Sequence, residues 1–199
     1  MGVSVLFVGV SGTLSQMLRA EGGALTVQGT MMMILSLAVG AVLGELLDLE
    51  DRMERFGAWL KVKTKSESDG GFIGAFVTAS LTVCIGAMAI VGSIQDGILG
   101  DHATLFAKAV LDLVIIMVMT ASMGKGCIFS AIPVGILQGS VTLLARLLQP
   151  VFTDAALSNL SLVGSVLVFC VGLNLVWGKK IRVANLLPSL LIAVIWAFL

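Results

Sequence analysis

Long apolar runs separated by short polar turns set the pattern of this chain. Seven stand out, approximately residues 2–18, 30–49, 72–92, 103–123, 127–148, 161–177 and 184–199. Each is close to the ~20 residues that cross about 30 Å of hydrocarbon at a rise of 1.5 Å per residue. The runs are continuously apolar and lack the alternation of a transmembrane barrel strand, so they predict helices. The expected fold is an all-α polytopic membrane bundle of about seven transmembrane helices, forming one domain over residues 1–199.

The one substantial polar segment runs from Leu49 through the loop of residues 50–71 and has Leu49, Met53, Phe56 and Leu60 at helical spacing. That spacing predicts a short amphipathic helix on the cytoplasmic membrane face, with a solvated tether as the alternative. Residues 64–71 have loop composition. Val3 to Ser11 also resembles Val166 to Asn174, with Gly9 and Gly172 in register, a weak sign of the internal repeats found in many transporters.

Composition strengthens the membrane reading. Hydrophobic residues make up 58% of the chain and charged ones 12%, too little charge to cover the surface of a soluble domain. Twelve basic and twelve acidic residues leave no net charge, which argues against nucleic acid as a partner. The bilayer is the expected partner, with a small polar solute or ion and a second copy of the chain as further candidates. Cys84, Cys127 and Cys170 show neither disulfide nor zinc spacing. The first run has no basic leader and no small-residue cleavage site, so it is expected to remain as a helix.

Cations set the orientation. Seven spans put Arg52, Arg55, Lys61, Lys63, Lys65, Lys125, Lys179, Lys180 and Arg182 on one side, and Arg19, Lys108 and Arg146 on the other. Positive charge is retained inside, so the amino end is expected in the cytoplasm and the carboxyl end outside the inner membrane.

Asp112 lies nine residues into its run, about 13 Å along a helix and so near mid-bilayer. An ionised group there needs a partner, a wet cavity or a function. Lys108 is one turn earlier on the same face. The pair is the expected charged centre, unless it only fixes packing, alone or through Asn174 or Gln138. In the third run and the turn after it Gly86, Gly92, Gly97 and Gly100 are interspersed with Ser80, Thr82, Ser93, Gln95 and Asp96. This mixture favours a broken helix with free backbone groups, as in ion and substrate sites. The alternative is an ordinary turn beginning at Ser93, since turn chemistry accounts for Asp96-Gly97 and Gly100-Asp101.

Glu45 closes the small-residue stripe Ser36, Gly40, Gly44, along which another helix can approach closely. Gln138 and Asn174 are uncharged groups that could line a path or bond between helices. Asn185 and Pro188 mark either a helix break near a site or an ordinary helix start. The single histidine, His102, has no ligand at metal spacing, and no phosphate loop, nucleophile elbow or HExxH motif is present. No enzymatic activity, metal or cofactor is expected.

Five stretches together resemble the bacterial inner-membrane family of unknown function 554, the YdfK/YqgA-like proteins. They are residues 37–50, 76–97 and 108–112, Gln138-Gly139, and Ala184-Asn-Leu-Leu-Pro188. The resemblance covers essentially the whole chain. It implies a further apolar helix ahead of the first run, which this chain is expected to lack, and it supplies no substrate. The expected role is a small secondary transporter or channel built on Asp112 and Lys108. The alternative is a membrane scaffold or accessory subunit.

Overall fold

A computed structural model describes residues 2–21, 24–63, 70–84, 87–148 and 153–199. Along the chain run α1 (Gly2–Met17), β1 (Leu18–Glu21), β2 (Ala24–Val27), α2 (Thr30–Leu47), α3 (Leu49–Lys63), α4 (Phe72–Cys84) and α5 (Ala87–Leu99). Then follow α6 (Ala103–Met123), a 3-10 helix (Lys125–Ser130), α7 (Ala131–Leu143) and α8 (Ala145–Leu148). The chain closes with α9 (Asp154–Trp177), a second 3-10 helix (Val183–Leu186) and α10 (Pro188–Trp196). Among the described residues the fold is all-α apart from one two-stranded antiparallel hairpin, in which Leu18 pairs with Val27 and Glu21 with Ala24.

Four helical stretches are long and apolar enough to cross a membrane among the described residues: Thr30–Leu47, Ala103–Met123, Lys125–Leu143 and Asp154–Trp177. Three apolar stretches are shorter, Gly2–Met17, Phe72–Cys84 and Val183–Trp196. Many apolar side chains face outward, as Phe106, Val110 and Leu113 do on α6. So much exposed apolar surface suits lipid and is unfavourable in water.

The chain divides into two compact units, one built from residues 1–49 and 150–199, the other from residues 50–149. In the first, α1 packs antiparallel on α9 through glycines. A Cβ on Gly9 would fall 2.5 Å from the backbone nitrogen of Phe169, and one on Gly172 would fall 2.8 Å from that of Leu6. The two glycines matched in the sequence are thus both points of backbone approach between the helices.

On α2 the buried residues are Met32, Ser36, Gly40 and Gly44, one per turn. This is the small-residue stripe read from the sequence, and it receives the second 3-10 helix and α10. A Cβ on Gly40 would sit 2.4 Å from the Ser189 nitrogen, and one on Gly44 1.7 Å from the Asn185 carbonyl oxygen. Asp48 ends the helix in the left-handed region at φ 47°, which aspartate tolerates better than most residues.

In the second unit the 3-10 helix after α6 packs on the first turns of α4. Gly126 allows backbone contact with Phe72, the rings of Phe72 and Phe129 lie 5.4 Å apart, and the Cys127 thiol reaches the Ala75 carbonyl at 3.6 Å. Ala75, Ala79, Met119 and Cys127 form a buried cluster, backed by Ile115, Ile116 and Met123. The predicted amphipathic helix is α3, lying on α4 with Gly57 and Phe56 against Phe76. Residues 64–69 of the expected loop lie outside the described residues.

The third run forms two helices, α4 and α5, while Gly86 lies outside the described residues. No turn begins at Ser93. Helix α5 continues to Leu99, because Ser93 turns its hydroxyl back onto the Ala89 carbonyl (2.7 Å) and Gly97 lets the helix close on Thr142 and Ala145. The polar turn falls instead after Gly100, at φ 68°.

One motif occurs in both units. A long helix ends at a glycine of positive φ (Gly124, 98°; Gly178, 80°) followed directly by a lysine, and a 3-10 helix and a shorter helix come next, the 3-10 helix opening at Lys125 itself in one unit and at Val183 in the other.

Candidate functional site

Helix α4 has only 13 residues, so its last carbonyls lie at the end of a short apolar element. The last four C=O groups of any helix lack an intrahelical donor and need one from elsewhere. For Val83 the donor is Lys108 Nζ, 3.0 Å away on α6. The same ammonium pairs with Asp112 on its own helix. Lys108 is 6% exposed, so the whole stem is packed and the charge is held at the end of α4. A cation there also meets the negative end of the α4 dipole.

Helices α4 and α6 run antiparallel here: Lys108 meets Val83 at one end, and Met119 packs with Ala75 and Ala79 further along. Ser80 lies in the stretch between these levels, as Asp112 does on α6. It is 1% exposed, and its hydroxyl has no hydrogen-bond partner among the described residues. The Thr120 hydroxyl on α6 is likewise buried and unpartnered. Such groups are uncommon in folded proteins and costly in an apolar interior.

The other candidates fall into separate settings. Thr82 bonds back to the Thr78 carbonyl (2.8 Å), and Ser93 bonds within α5. Gln95 and Asp96 join the end of α5 to the start of α6: Gln95 Oε1 accepts from Thr104 at 2.7 Å, and Asp96 pairs with His102. Gln138 is half-buried on α7.

Asn174 organises the loop after α9. Its Oδ1 accepts from the backbone N–H groups of Lys180 and Ile181, both at 2.9 Å, and its Nδ2 donates to the Ile181 carbonyl at 2.7 Å. Asn185 is buried in the second 3-10 helix. It lines a groove of about 410 Å³ with Ala41, Glu45, Lys180, Ile181, Arg182 and Leu186. There Arg182 reaches Glu45 at 3.3 Å and Asp48 at 3.9 Å, an exposed cluster worth little in stability.

The structure therefore brings Lys108, Asp112 and the end of α4 together, with Ser80 buried one turn earlier on α4. It puts Asn174 and Asn185 in the other unit. The Val83 carbonyl was invisible to motif reading, because backbone acceptors carry no side-chain signature. No cluster of three metal-ligating side chains occurs among the described residues.

Apolar helices of spanning length, an outward apolar surface and an ion pair within an apolar helix define an all-α integral membrane protein. The chain belongs to the family described as Protein of unknown function (DUF554), which matches residues 1–198. It is 32% identical over 159 residues to the uncharacterized membrane protein YdfK of Bacillus subtilis, covering 80% of this chain and 66% of that one. It is 30% identical over 165 residues to the uncharacterized protein YqgA of Escherichia coli, covering 81% and 70%. The chain thus spans about two thirds of the length of these relatives. No solved structure matches it.

Proposed function

We propose that this protein is a small secondary transporter or channel of the bacterial inner membrane, moving a small polar solute or ion past the Lys108–Asp112 centre. The observation that carries this reading is the buried Lys108, shared between a carboxylate and an open helix-end carbonyl inside apolar surroundings. Ionisable groups at this depth are expensive and typically mark ion or substrate paths. Short helices whose ends supply ligands are a common way of building such sites. The motif shared by the two units agrees with construction from repeats.

In this reading the four long helices and three shorter apolar stretches account for seven spans. The cation-rich loops face the cytoplasm, and the protein acts without catalysis or cofactor. A second reading, a membrane scaffold, draws on the glycine contacts of α1 with α9 and of α2 with α10, since close small-residue packing needs no transported ligand.

Asp112→Asn separates the two. Purified wild type and variant are reconstituted in liposomes and assayed for uptake of amino acids, small carboxylates and monovalent ions, with a melting screen against the same compounds at two pH values. Transport predicts a solute that stabilises and crosses with wild type but not with a folded variant, as selective ligand binding requires. Normal uptake by Asp112→Asn would remove the mechanism. A variant that only melts lower, with no solute active on wild type, supports the scaffold.

A further inference from the structure

We infer that the α4–α6 interface contains a seat for a small primary ammonium ion, filled in the resting protein by the side chain of Lys108. The Val83 carbonyl at the end of α4 and the Asp112 carboxylate on α6 both accept from Lys108 Nζ. An ammonium has three N–H donors and no acceptor, so it needs converging oxygens, and these two supply them. The end of the α4 dipole adds a field of the right sign.

Helix α4 also carries a buried hydroxyl. The Ser80 hydroxyl, one turn before the Val83–Cys84 end, is buried and has no hydrogen-bond partner among the described residues.

A buried ammonium needs acceptors for its remaining N–H groups, and one of them comes from a second helix. Here the ammonium spans both helices, so the acceptors are arranged around a position in space. The four-carbon stem then acts as a tether for a cation that could instead be free. On the transport reading above, the solutes able to displace Lys108 are ammonium itself or a short amine-bearing cation. The seat itself does not depend on that reading.

Chemical rescue tests it. Lys108→Ala empties the seat and leaves room for a short alkylammonium. In purified full-length protein it should lower the melting temperature by roughly 10 °C, the scale for breaking a buried ion pair in a chain of this size. Ethylammonium should restore most of that loss. Tetramethylammonium at equal concentration, which has no N–H donor, and sodium should not. Recovery should vanish in the double variant Lys108→Ala/Asp112→Asn.

No recovery with ethylammonium, or equal recovery with all three cations, would overturn the seat. If Lys108→Ala does not fold, Lys108→Met keeps the stem volume and carries the same comparison, with ammonium chloride as the rescuing salt. Flux of wild-type protein in liposomes is read independently. Rescue without flux keeps the seat and removes the transport reading, and flux without rescue does the reverse.

Discussion

At the scale of single residues, the polar side chains of this protein do two kinds of work. Lys108 and Asp112 hold charge inside an apolar interface, whereas Asn174 fastens a loop. Three backbone groups of the segment after α9 depend on the Asn174 amide. Asn174→Ala should cost about 0.5–1.5 kcal/mol, since the exposed and half-buried groups it releases can turn to water. A detergent melt would show the loss, and limited proteolysis should show faster cleavage at Lys179 and Lys180. Unchanged cleavage would mean that the loop holds its shape without the clamp. Asp112 and Lys108 could be picked out from sequence because an acid in an apolar run is conspicuous and a helix repeat places Lys108 beside it. The role of Asn174 could not, since a lone asparagine carries no sign of whether it faces a path, a neighbouring helix or a loop.

At the scale of elements, closeness of approach is set by glycine. Gly44 and Gly135 make a matched pair for measuring it. A Cβ on Gly44 would collide with the Asn185 carbonyl at 1.7 Å, whereas one on Gly135 meets nothing within 4 Å. Gly44→Ala should destabilise by about 1–3 kcal/mol, the usual range for overpacking. Gly135→Ala should be neutral or stabilise by up to about 1 kcal/mol through helix propensity. Melting of both variants in the same detergent checks the contrast, and equal effects would contradict the packing of α2 on the second 3-10 helix.

Most of these elements were legible from the apolar runs, and the Ser36–Gly40–Gly44 stripe already indicated a close contact. Three departures have physical causes. The hairpin of β1 and β2 escaped a search for long apolar runs, although the Gly22-Gly23 pair between short segments is a hairpin signal. Helix α9 starts earlier than the run at residue 161, because Thr153 caps it by accepting from the Ala156 N–H at 3.2 Å while Ser158 and Asn159 dilute the hydropathy. Helix α5 outlasts its run because Ser93 satisfies its hydroxyl within the helix, so polarity there does not mean a turn.

At the scale of the whole molecule, the seven-span arrangement proposed above makes a direct prediction about sidedness. Single cysteines placed at Asp101 and Lys180, in a background with Cys84, Cys127 and Cys170 replaced by serine, should label oppositely in intact cells. A membrane-impermeant thiol reagent should reach Asp101→Cys from outside, and Lys180→Cys only after the membrane is opened. The reverse pattern would invert the topology, and labelling of both from outside would require an even number of spans between them. Cation counts alone could propose this arrangement, because short loops rich in lysine and arginine are retained inside.

The division of the chain into an outer pair of segments around a continuous inner one bears on how the protein is made. Residues 50–149 can pack as soon as they leave the ribosome, because all of that unit lies in one stretch. By contrast, α1 and α2 must wait in the membrane, their glycine faces uncovered, until α9 and α10 have been synthesised. Until then those bare faces are open to whatever helix drifts past, and premature chain termination after residue 149 would strand them permanently while leaving the inner half intact.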